Sequence, residues 1–120
     1  MPSVAFIQHK GVRVLLLDVT HSPNEADNAA AFKTAQEMVG REPPQSVRLL
    51  TDVSGTHYTS EGVDVMKAFS KAVTPQMKAS AAVGITGLKR VIVMSLNALT
   101  GRDIKMFDTR EAALDWLAEQ

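Results

Sequence analysis

The segment Val12 to Val19, VRVLLLDV, constrains the chain more than any other. It is nearly all β-branched residues or leucine, as a strand covered on both faces would be, and it is placed centrally in a sheet. Val4 to Gln8 is a second extended segment, separated from the first by His9-Lys10-Gly11, a short polar connection with a glycine that can take positive φ. The two read as a hairpin.

Helix signals follow. In Ser22-Pro23-Asn24-Glu25, Ser22 can cap, Pro23 suits the first helical position and Glu25 can complete a capping box. The stripe of Ala29, Phe32, Ala35 and Val39 has the spacing of one buried face, and Gly40 with Pro43-Pro44 ends the helix. The alternation then repeats: a strand in Val47 to Val53, a helix from Ser60 to Val73, a strand in Ala79 to Ile85, and a helix from Gly87 to Leu99. Ile104 to Phe107 makes a last short strand, and Asp108 with Glu111 can cap a final helix burying Ala113, Trp116 and Leu117.

The expected fold is therefore one α/β domain over residues 1–120, with a mixed, mostly parallel sheet of about five strands and about four helices. Arg48, Leu50 and Asp52 alternate with Val47, Leu49, Thr51 and Val53, which gives that strand a partly polar face. Helices packed chiefly on one side, with the other thinly covered, suit such a strand better than a doubly wound arrangement.

Composition narrows the function classes. With 45% apolar and 22% charged residues the profile is globular. Thirteen basic residues balance thirteen acidic ones, so the chain lacks the net positive field that drives non-specific nucleic-acid binding. The absence of cysteine excludes disulfides, thiolate metal sites and a cysteine nucleophile. No run approaches about 18 consecutive apolar residues, and the amino end does not read as a signal peptide, so a cytoplasmic location without a membrane span is expected.

The segment LLTDVSGTHYTSEGV, residues 49–63, resembles a stretch of anti-sigma factor antagonists. There a strand ends in a hydrophobic-Asp-hydrophobic-Ser phrase, crosses a loop with an aromatic, and runs into a helix at Asp-Ser-Ser-Gly-Leu. Asp52, Val53 and Ser54 match the phrase, Tyr58 the aromatic, and Thr59, Ser60, Glu61, Gly62 and Val63 the helix start. KASAAVGITGLKR and TGRDIKMFDTREAALDWL are similar to small stand-alone bacterial-type STAS or SpoIIAA-like domains. The resemblance implies a SpoIIAA-like mixed sheet, an architecture shared with CRAL-TRIO lipid-binding domains, and a regulatory, non-catalytic role in protein binding. It also implies a phosphoswitch at Ser60, in a partner surface formed by Asp52, Ser54, Gly55, Tyr58, Thr59, Ser60 and Gly62. Thr59 and Glu61 depart from the Asp and second Ser of that pattern, and a plain helix cap at Thr59 or Ser60 explains these residues as well.

Other residues allow further chemistry. Asp18, Asp52 and Asp108 each stand at the carboxyl end of an expected strand, where α/β sheets place their crevices. Clustered there they could hold Mg²⁺, but caps and turns are the ordinary use of such aspartates, and no metal or cofactor is expected. His9, His21 and His57 lack ligand spacing. Gly84, Thr86, Gly87 and Lys89 follow a strand and open a helix, so their amides and the cation could accept an anion; a tight turn is the plainer reading. Residues 91–99, VIVMSLNAL, are apolar nearly all round. Deep burial beneath Trp116 or an interface would account for this. With Leu88, Val91, Ile92, Ser95 and Leu99 read as the core stripe, Val93, Met94 and Asn97 face outward as a homodimer surface. Two functions follow: a module for a protein partner, or a small carrier of a lipid or other apolar ligand.

Overall fold

The computed structural model describes residues 2–57 and 59–120. Among them five strands and four α-helices run in the order β1 (Ser3–His9), β2 (Val12–Asp18), α1 (Glu25–Gly40), β3 (Val47–Asp52), α2 (Ser60–Val73), β4 (Met77–Val83), α3 (Leu88–Thr100), β5 (Ile104–Phe107) and α4 (Arg110–Ala118). A 3-10 turn, Thr74–Gln76, leads into β4.

The sheet order is β1-β2-β3-β4-β5. β1 and β2 pair antiparallel through a turn in which Lys10 and Gly11 both take positive φ, +51° and +78°, the two-residue geometry that matches strand twist. The remaining pairs are parallel. Three successive crossovers all step the same way across the sheet, and right-handed connections that do so put their helices on one face. Accordingly α1 and α2 pack with Leu15, Leu17, Leu49 and Val53 in the main core, to which α3 adds Val93. Among the described residues the opposite face carries only α4, whose Ala113 and Leu117 cover Val14, Leu50, Ala81 and Val83. This is the thin cover that the polar alternation in β3 predicts.

Two helix starts differ from expectation, and a third is decided between two candidates. Asn24, not Ser22, caps α1, its Oδ1 accepting from the Asp27 amide at 3.0 Å; Ser22 is buried, with its carbonyl accepting from Asn28. Thr59, not Ser60, caps α2, and Thr109, not Asp108, caps α4. In each case the residue chosen is the one with extended backbone whose side chain reaches the amide three positions on. Trp116 packs on Phe107 across the α4 face, with ring centroids 5.6 Å apart, and so does not cover α3.

Candidate functional site

The strand alternation sends adjacent residues at the strand ends to opposite faces. Asp18 and Asp52 turn towards α4, whereas Val19 and Val53 turn towards α1, α2 and α3. The result is a polar cluster on one side and an apolar cleft on the other.

In the polar cluster, Asp18 and Asp52 are register partners in the β2–β3 ladder. One oxygen of each closes a local turn: Asp18 accepts from the Thr20 amide and hydroxyl, Asp52 from those of Ser54. The other oxygens meet Arg110 in the first turn of α4, at 3.1 Å from Asp18 and 2.9 Å from Asp52. Burial by itself would raise the Asp18 carboxyl, but the Thr20 bonds and the guanidinium outweigh it and hold the group below its ordinary value. At the other end of α4, Arg48 donates to the Gln120 carbonyl at 2.9 Å. The polar residues of β3 thus bind the two ends of the helix over its apolar middle. Asp108 is exposed and takes no part, and a guanidinium already lies between the two carboxylates that clustering at the strand ends brings together.

On the opposite face, a cavity of about 340 Å³ opens between α1, α2 and α3. Its floor is Val19, Val53 and Ile85 from the ends of three parallel strands, and its walls include Ala29 and Phe32, Val63 and Met66, and Ile92, Val93 and Leu96. Glu25, Thr56, His57, Thr59, Glu61 and Lys89 supply its polar lining. Lys89 donates to the Val53 carbonyl at 3.2 Å and the Thr56 hydroxyl at 3.1 Å, and burial lowers its pKa. The loops around the cleft are tightly fitted. A Cβ on Gly84, at φ +83°, would stand 2.5 Å from the Ser54 backbone, so only glycine lets these two connections touch. The Thr59 hydroxyl accepts from the Gly62 amide at 3.0 Å and also meets Glu25, tying the start of α2 to the start of α1.

Of the residues singled out in the 52–62 segment, Thr59 and Gly62 line the cleft, whereas Asp52 and Ser54 are engaged in the polar cluster behind it. Gly55 packs against the His21 ring, and Ser60 is exposed at the first position of α2. Tyr58 lies outside the described residues. In the 84–89 turn, Gly84 serves close approach and Gly87 caps α3 with positive φ. The Thr86 carbonyl accepts the Lys89 amide, and the Lys89 ammonium folds towards Val53 and Thr56.

The face of α3 is corrected. Val93 is buried with Ile92 and Leu96, and Asn97 is half-buried, accepting from the Ile104 amide and donating to its carbonyl. Of the three expected outward residues only Met94 is exposed, alongside Leu88, Val91 and Leu99, at 58–70%. Asn97 fixes this rotation by satisfying the edge of β5. Sequence reasoning missed Arg102, Arg110 and the cleft-lining roles of Glu25 and Phe32.

The fold recurs among solved structures. The protein of the DUF3478 family with a SpoIIAA-like fold from Shewanella loihica PV-4 superposes with a TM-score of 0.76 at 14% identity, over 97% of this chain and 93% of that one. An anti-sigma-factor antagonist (STAS) domain protein from Planctomyces limnophilus does so with a TM-score of 0.62 at 13% identity, over 96% and 97%. No curated protein matches the sequence. The family described as SpoIIAA-like matches residues 14–118, from β2 through the helix that seals the thin face, and the chain belongs to it.

Proposed function

We propose that the protein is a non-catalytic binding module whose ligand is an apolar small molecule held between α1, α2 and α3. The observation that carries this reading is the cavity itself: about 340 Å³, walled by aliphatic and aromatic side chains, with a few polar groups alongside. Small-molecule sites have this size and composition. Two hydroxyls facing the cleft are committed to structure, Thr59 as a cap and Thr56 as a donor to the Val53 carbonyl, which speaks for binding rather than chemistry. Native mass spectrometry on protein purified from its own host is the test. A retained lipid-sized mass, lost in Ala29→Trp, supports the reading; a bare apo mass together with no uptake of an apolar fluorescent probe refutes it.

A second reading, a regulatory module for a protein partner, draws support from the exposed apolar residues of α3 and from the SpoIIAA-like family. Ser60, exposed at the start of α2, is then the candidate phosphoacceptor. Ser60→Asp weakening capture of a partner that Ser60→Ala still binds is the expected signature.

A further inference from the structure

Arg102 is a charge that the fold does not balance. It sits between α3 and β5, and its Nη1 donates to the Ser70 hydroxyl of α2 at 2.7 Å and its Nη2 to the Ser80 hydroxyl of β4 at 2.6 Å. Both serines are buried and neutral. Nε is buried with no partner, and no acidic side chain among the described residues pairs with this guanidinium. Burial lowers its pKa to about 10, so it stays charged at neutral pH. Arg102 is half-buried as a residue, and a partly desolvated cation held only by neutral hydroxyls gains little over hydrocarbon in its place. Core packing alone therefore gives no reason for an arginine here.

Its position supplies one. Arg102 lines a second hollow of about 60 Å³, and the lining side chains Phe32, Val53, Met66, Ile85, Val93 and Leu96 are shared with the main cleft. The two hollows thus adjoin across these side chains, with the guanidinium on the lining of the smaller one. The polar part of the main cleft's lining is a poorer place for an anion: Lys89 is already bonded to Val53 and Thr56, and Glu25 and Glu61 lie on the same cavity.

We infer that the ligand of the cleft is an apolar monocarboxylate, bound head first with its carboxylate on Arg102 and its hydrocarbon filling the cavity between α1, α2 and α3. The inference rests on the cleft being the binding site and names what enters it. A planar carboxylate matches the guanidinium fork with two parallel bonds and fits a small hollow.

Decanoate and decanol, equal in chain length and different in head group, test this by calorimetry. Wild type is expected to bind decanoate about tenfold or more tightly than decanol, as a charge-assisted hydrogen bond in a dry site requires. Arg102→Met should bind the two alike, with an apo stability no lower than wild type, while Arg102→Lys, which keeps charge without the fork, should fall between. Equal binding of both ligands by wild type, or a decanoate preference surviving in Arg102→Met, overturns the inference and leaves the cleft reading standing. Binding of neither by wild type overturns both. Should Arg102→Met fail to fold, Arg102→Lys beside wild type decides, a decanoate preference unchanged in it overturning the inference.

Discussion

Asp18 and Asp52 stand opposite one another in the β2–β3 register and share a single guanidinium, that of Arg110, at 3.1 Å and 2.9 Å. The shared cation lets two carboxylates occupy neighbouring strand ends, and it fastens the only helix among the described residues on that face of the sheet. Asp52 is 4% exposed, so removing the cation leaves a buried charge beside a second one. Arg110→Ala is expected to cost about 2 kcal/mol, below the range for a fully buried pair because the arginine side chain is itself partly exposed. Urea denaturation measures it. A change within experimental error would mean that α4 is held by Ala113 and Leu117 alone.

Acid should act on the same cluster. Asp18 has a folded pKa below its ordinary 3.8. A group depressed on folding contributes stability that is complete above its unfolded pKa and is lost as pH falls through the folded value. The Asp18 contribution therefore persists at neutral and mildly acidic pH and disappears below about 3.8. Thermal melts of wild type and Asp18→Asn should converge in that acid window and diverge above it, with the variant the less stable. A constant gap across the whole pH range would assign the effect to packing instead.

Much of this was legible in the chain. The alternation of Arg48, Leu50 and Asp52 foretold a thinly covered face because period-2 patterning reports directly on what each face meets. Helix α2 falls at Ser60–Val73 as its signals indicate. Arg110 was not legible, since its partners lie 58 and 92 residues away and a cation in a first helical turn opposes the helix dipole, so only its tertiary partners make it favourable. One signal was available: LLLDVT at 15–20 and LLTDVS at 49–54 align on the register that brings the two aspartates together. The orientation of α3 was misread for a different reason. A helix apolar nearly all round offers no preferred stripe, and the choice was made by Asn97 bonding the Ile104 backbone.

The start of α2 separates a structural threonine from a surface serine. Thr59 accepts from the Gly62 amide and meets Glu25, whereas Ser60 is exposed one position later. Thr59→Ala should destabilise by about 1 kcal/mol, the usual value of a helix cap, and Ser60→Ala should stay within about 0.5 kcal/mol of wild type. Chemical denaturation of the two variants side by side gives the answer, and a larger loss for Ser60→Ala would return the cap to that residue.

The last prediction concerns the two sides of α3. Val93 lies in the main core at 7% exposure, while Met94, next in sequence, is 60% exposed with Leu88, Val91 and Leu99. Val93→Glu should unfold the protein, because a side chain larger than valine and charged would be forced among Phe32, Val53 and Ile85. Met94→Glu should fold normally, since its side chain meets water in the monomer. If the exposed residues form a two-fold contact, the same substitution buries a charge in it and shifts the sedimentation of a dimer to that of a monomer. Identical sedimentation of wild type and Met94→Glu as folded monomers at high concentration would remove self-association as the use of this face. Unfolding of Met94→Glu would instead show the residue to be core and the orientation of α3 to be wrong. The pair of variants therefore tests the rotation of the helix and the purpose of its exposed side in one experiment.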